Sequence, residues 1–264
     1  MIGGEFLNYV RIPEEIIQDV SIGEKRVIIF SYLCCRRSLD DTVAFSITEL
    51  VEWSKLKPNY RTGKINQKYW FVLERFTELN YIKTKLDFKR LTSEQKNSNE
   101  YLNVLINNEK FDMTERYGII YFDELQKILN FKKELENNEI ETNRISSSQI
   151  LLVLSYIRLN MNRIPNKPRC CYRLLKTISD DIEISERYIK RIITILSELD
   201  IVKYEEMKRN RYLDSKRNIC FSTTPKIFAD YKVYTKDDYG NHAIDQSYSW
   251  KNEIEAQINF LENT

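Results

Sequence analysis

The sequence predicts an α+β fold, mainly helical with small β hairpins, written twice in tandem. Three observations carry that expectation. First, the stretch FTELNYIKT at 76–84 returns 120 residues later as LSELDIVKY at 196–204. Second, the helix ahead of each ending carries the same apolar stripe. Tyr69, Val72, Leu73, Phe76 and Leu79 become Ile189, Ile192, Ile193, Leu196 and Leu199 on adding 120, the spacing of one helix face. Third, each ending leads into a short strand, a polar tip and a returning strand. A period this long repeats a whole domain, because solenoid repeats recur every ~20–50 residues.

The elements follow in order. FLNYVRIPEEII reads as an extended segment that Pro13 turns into a helical turn. GEKRVIIFSYLCCRR, 23–37, is a helix apolar on nearly every side, so it is expected to be buried. TVAFSI alternates like a strand. A short helix over 48–55 follows, capped by Ser46 or Thr48. KPNYRTG is a turn, and the striped helix runs over 64–79. Strands are expected at 81–85 and 101–106, with SEQKNSNE as the hairpin tip.

Residues 111–145 are expected to connect two domains, as a strand (118–122), an amphipathic helix from Asp123 and the acidic stretch ENNEIETN. The second unit repeats the order of the first. It has a buried-type helix over 146–161, a short strand or strand-to-helix entry in RCCYRL, a short helix over 174–181, and a Ser-capped helix over 185–199. Strands at 201–204 and 218–222 follow, with KRNRYLDSKR as a basic tip. A polar stretch and an amphipathic helix over 251–261 end the chain. The expected division is therefore 1–110, 111–145, 146–225 and an acidic tail over 226–264.

Helix, short strand, helix, turn, helix and two-stranded hairpin is the order of a winged helix-turn-helix domain. In such a domain the third helix presents its outer face to the DNA major groove and the hairpin lies along the backbone. Off the apolar stripe the second unit offers Ser185, Arg187, Tyr188, Lys190, Arg191 and Thr194. Arg reaches guanine bidentately, and Lys, Ser, Thr and Tyr serve phosphates. Its tip adds Lys208, Arg209, Arg211, Lys216 and Arg217. The first unit offers Asn66, Gln67 and Lys68, with Lys57, Arg61 and Lys64 just ahead. Asn and Gln suit adenine. Trp70 and Phe71 are expected on the same outer face, where they suit a protein contact better than DNA.

Charge supports a division into unlike regions. The net charge is only +2. Yet residues 61–90 hold eight Lys/Arg against three acids, and 187–217 hold nine against five. Residues 91–150 hold seven against eleven, and 230–264 three against seven. Two basic stretches at matching places in a repeat point to an anionic partner.

The chemistry that is missing narrows the classes. One histidine, His242, and six glycines leave no His-rich metal site and no phosphate-cradling glycine motif. GGEF at 3–6 matches a cyclase signature but has almost no chain ahead of it, so it is read as chance. No cofactor and no enzymatic activity are expected. The five cysteines, two vicinal pairs and Cys220, lack metal or redox spacing and are expected to be reduced and mostly buried. No run of 18 uncharged apolar residues and no secretory leader are visible, so a cytoplasmic location is expected.

Two winged units in about 260 residues without an ATPase or nuclease motif resemble the replication initiator (Rep) proteins of plasmids and phage-type mobile elements. The opening YVRIPEEIIQDVSIGEKRVIIFSYL is similar to the start of replication-organiser proteins of low-G+C Gram-positive bacteria. The resemblance covers most of residues 6–225 and is architectural. It implies binding to repeated origin sites on double-stranded DNA, local opening of AT-rich DNA and recruitment of a host helicase or its loader. It also implies a homodimer, one winged unit contributing to dimerisation and the other leading in DNA contact. A transcriptional regulator with the same modules, and a protein-interaction module without DNA binding, are the alternatives.

Overall fold

The computed structural model describes residues 9–56, 66–88, 101–112, 116–136, 142, 144–161, 171–208, 218–223, 234–236 and 242–244. The expected turn at 57–63, the loop at 162–168, the tips at 93–100 and 209–217 and the helix at 251–261 lie outside them. The chain divides into two compact units. The first takes in the described residues up to 159, the second those from 160 onward.

Unit 1 begins with β1 (Tyr9–Pro13) and α1 (Glu14–Gln18). Pro13 ends the strand and stands one position ahead of the helix, where its missing N–H costs no hydrogen bond. A 3-10 turn, Val20–Ile22, leads to α2 (Arg26–Arg36), in which every residue from Arg26 to Leu33 is buried. The buried Arg26 is satisfied by carbonyls: its Nε and Nη2 donate to Ile17 O, and Nη1 donates to Gly23 O. Then come β2 (Thr42–Phe45), α3 (Ile47–Trp53), α4 (Gln67–Glu78), β3 (Ile82–Lys83) and β4 (Leu102–Ile106). Ser46 caps α3 through a capping box with Glu49. The strands form one antiparallel sheet of order β2-β4-β3. Val43, Phe45, Leu102, Val104 and Ile106 alternate into the core.

The remaining elements of unit 1 differ from the sequence reading. After α5 (Asn108–Asp112), β5 (Tyr117–Tyr121) pairs antiparallel with β1, with Val10 opposite Ile120. α6 (Phe122–Leu129) and α7 (Phe131–Glu134) follow. The segment expected to connect two domains thus builds part of the first. α8 (Ser147–Leu159), expected to open the second domain, also packs in unit 1, against β5, α2, α1 and α6. The physical reason is that a helix apolar on all sides needs cover on all sides. β5 and α6 supply that cover.

Polar groups fix α8 at both ends. Ser147 Oγ donates to Ser54 O at 3.0 Å and Ser148 Oγ to Glu24 O at 2.9 Å. At the other end the fully buried Arg158 donates to both carboxylate oxygens of Glu124 at 2.6 Å and to Ile119 O at 2.7 Å. The approach of β5 to α8 is close enough that a Cβ on Gly118 would meet Ser155 O at 2.6 Å.

Unit 2 contains β6 (Cys171–Leu174), α9 (Leu175–Ile182), α10 (Glu186–Glu198), β7 (Lys203–Lys208) and β8 (Asn218–Thr223). Its antiparallel sheet has the order β6-β8-β7, the same as β2-β4-β3. The core is Ile178, Ile182, Ile189, Ile192, Ile193, Ile195, Leu196 and Val202. Two short strands missed in the sequence, β9 (Tyr234–Lys236) and β10 (His242–Ile244), pair antiparallel in the stretch expected to be a tail. Ser185 occupies the N-cap of α10, but its side chain makes no cap hydrogen bond. Cys171 is buried as expected, whereas Cys35 is exposed. Among the described residues no helix is long and apolar enough to cross a membrane.

Candidate nucleic-acid interface

The repeated ending is a helix stop. After α4, Asn80 takes the left-handed conformation (φ 60°), and after α10 Asp200 does the same (φ 56°). In unit 1, Asn80 N donates to Thr77 O and Tyr81 N to Phe76 O. In unit 2, Asp200 N donates to Ser197 O and Ile201 N to Leu196 O. This pair of bonds is the Schellman motif. Asn and Asp tolerate the left-handed region better than other residues with a Cβ. The motif reverses the chain tightly, so each helix is followed at once by its strand, β3 or β7. The outer face of the helix and the adjoining strand are thereby held in one fixed geometry.

The two outer faces are unlike. On α10, Ser185, Arg187 and Lys190 are exposed, and Tyr188, Arg191 and Thr194 are half-buried. Arg187 stands at the second helical position and Lys190 and Arg191 one turn later, so the cations gather in the N-terminal half. Of these only Arg187 lies in the first turn, where the positive end of the helix dipole disfavours a cation by ~0.3–1 kcal/mol. Glu186 in the first turn offsets part of the cost.

On α4 the expected face is largely corrected. Asn66 is 7% exposed and sits at the helix N-cap in the left-handed region, φ 47°, so it does not belong to an outer surface. Trp70 is 4% exposed, its ring 5.9 Å from that of Phe88 beyond β3. The apolar stripe is simply one residue wider here, because Phe88 provides cover. Phe71 is outward, 46% exposed. Gln67 and Lys68 are exposed as expected, but Lys68 is 3.7 Å from Glu24. Arg75 pairs with Glu78 at 2.6 Å. Beside this face Lys25 lies over the Tyr69 ring at 4.9 Å. Burial pulls its ammonium down to about 8, against the attraction of Glu24 and together with the repulsion of Lys68.

Lys57, Arg61 and Lys64 ahead of α4, and Arg209 and Arg211 beyond β7, lie outside the described residues. Lys208 ends β7, its backbone paired with Asn218. The structure therefore brings Arg187, Tyr188, Lys190 and Arg191 together on one helix, and does not bring Asn66 into a surface set.

The sequence reading did not single out Tyr204. This residue of β7 places its hydroxyl 3.4 Å from Thr194 Oγ1, at the edge between helix and hairpin. The signal was its place two residues into the repeated strand, which periodicity alone does not separate from core.

Chemically, the face of α10 offers two guanidiniums, an ammonium and hydroxyls beside a hairpin edge, a set suited to phosphate and base-edge acceptors. The face of α4 offers an amide, an exposed phenyl ring and cations paired within the unit. No family model matches the chain, and no curated protein matches it.

Proposed function

We propose that the chain is a sequence-specific binder of double-stranded DNA built on two winged helix-turn-helix units, with α10 of unit 2 as the leading recognition helix. The observation that carries this reading is the outer face of α10, where Arg187, Lys190 and Arg191 gather off the apolar stripe beside a β hairpin. Supporting it, both units share the strand–helix–helix–strand–strand order with the first strand paired to the last. In unit 1, α2 stands ahead of that order as the supporting helix. The site calls for no cofactor and no catalytic group.

Within this reading the role in the cell is replication initiation on a plasmid or phage-type element, as the architectural resemblance implies. The protein binds origin repeats, promotes local opening and recruits a helicase or its loader. Phe71 and the paired charges on α4 give unit 1 a surface better suited to a protein partner, a second copy or the helicase machinery. The location that goes with these roles is the cytoplasm.

The test is titration of the full chain against duplex DNA at several salt concentrations. Binding is expected to weaken linearly in log–log form with salt, as phosphate contacts release counterions. Arg187→Ala with Lys190→Ala is expected to remove ~1–3 kcal/mol of discrimination per lost base contact. Absence of salt-dependent binding by the wild type would refute the reading. Direct repeats beside the gene separate replication from transcription control, for which a palindrome at a promoter is expected.

A further inference from the structure

The edge between α10 and β7 carries a group of donors that differs from the matching edge of unit 1. Thr194 Oγ1 donates to Lys190 O at 3.1 Å, one turn back in its own helix. Its proton is therefore committed to a carbonyl. The Tyr204 hydroxyl lies 3.4 Å from that same Oγ1, too long for a strong O–H···O bond, whose usual distance is ~2.7–2.8 Å. Tyr204 is half-buried, so its ring is held while its hydroxyl stands at the helix–hairpin edge. Arg191 precedes Thr194 by three residues and so neighbours it on the helix surface. Adding 120 to the unit 1 numbers gives the comparison: Glu74 stands where unit 2 has Thr194, and Thr84 where it has Tyr204. Unit 1 thus places Glu74, Phe71 and a Thr84 hydroxyl that donates to Asn103 O where unit 2 places Thr194, Arg191 and the Tyr204 hydroxyl. The second set has donors suited to an anion.

We propose that Tyr204 and Arg191 form a seat for a non-bridging oxygen of one DNA backbone phosphate at the helix–hairpin edge of unit 2, with Thr194 holding the edge neutral. The seat rests on the DNA-binding reading of α10 and adds to it a contact that positions the duplex without reading its sequence. Tyrosine hydroxyls and arginine are among the usual donors to phosphate oxygens.

The test uses the full chain and two duplexes: one enriched from a random library by the wild type, and one of random sequence. Tyr204→Phe keeps the ring and removes only the hydroxyl. It is expected to weaken both duplexes by the same factor, about tenfold for a hydrogen bond to a charged group. The salt slope is expected to stay unchanged, since a neutral donor releases no counterion. Arg191→Ala is expected to flatten the slope by about 0.9. Thr194→Glu imports the unit 1 carboxylate without touching the buried stripe, and is expected to weaken both duplexes further than Tyr204→Phe. Thermal melts of the variants confirm that each is folded. If Tyr204→Phe or Thr194→Glu, folded, binds both duplexes like the wild type, the seat is overturned while the DNA reading stands. If Tyr204→Phe weakens only the enriched duplex, the hydroxyl reads a base and the phosphate assignment is overturned. If the wild type binds neither duplex in a salt-dependent way, the DNA reading itself falls and the seat with it.

Discussion

Helices α4 and α10 have the same length of buried stripe, the same left-handed stop and the same place in a sheet of the same order. They differ on the outside. Gln67 answers to Arg187, Lys68 to Tyr188, Trp70 to Lys190, Phe71 to Arg191 and Glu74 to Thr194. The scaffold tolerates this because burial constrains only the stripe, whereas outer positions cost little to change. A shared fold need not carry a shared function. The two helices differ most at position 70/190, which is a buried indole in unit 1 and an exposed ammonium in unit 2.

A second difference concerns what surrounds each helix set. Unit 1 carries α8 and the β1–β5 pair, and the largest effects of substitution are expected there. Arg158→Ala leaves the Glu124 carboxylate buried and unpaired, and is expected to destabilise unit 1 by ~3–5 kcal/mol. Chemical denaturation followed by tryptophan fluorescence in a Trp250→Phe background measures it, since the other two tryptophans, Trp53 and Trp70, lie in unit 1. Gly118→Ala drives a methyl into the backbone of Ser155 and is expected to cost ~1–3 kcal/mol. A silent Gly118→Ala would mean that α8 does not pack on β5.

The shared part of the comparison is sharpened by the two stops. Asn80→Val and Asp200→Val place a β-branched residue in the left-handed region, and each is expected to cost ~1–2 kcal/mol. Similar losses in both would support one common motif. Smallest is the capping contrast. Ser46→Ala removes a capping box and is expected to cost ~1 kcal/mol. Ser185→Ala is expected to change thermal stability by less than ~0.5 kcal/mol, since its side chain makes no cap bond.

Most of the local structure was legible in the sequence. The stripes at 69–76 and 189–196, the strands of both sheets and the turn residues Asn80 and Asp200 follow from local periodicity and turn chemistry. The parts that were not legible are non-local. Trp70 reads as outward from its place beside the stripe, yet it is buried, with Phe88, 18 residues later and across β3, packed near its ring. The all-round apolar face of α8 announces burial without saying against what, so its assignment to unit 1 needed β5 and α6. Asn66 looked like a base-reading amide and is instead the N-cap residue of its helix. On α10 the outer residues were legible because charged side chains on a strongly striped helix have nowhere else to go. Tyr204 was not, because its role depends on how a strand meets a helix edge.

On the proposed reading the two outer faces do unequal work. The most direct measurement compares two double variants of the full chain on the same enriched duplex at one salt concentration. Arg187→Ala with Lys190→Ala is expected to weaken binding by ~30-fold or more, given ~1–3 kcal/mol per base contact. Gln67→Ala with Lys68→Ala is expected to change it by less than about threefold, as for an exposed face whose cation is already paired. Equal losses in the two variants, or a larger loss from unit 1, would contradict the account.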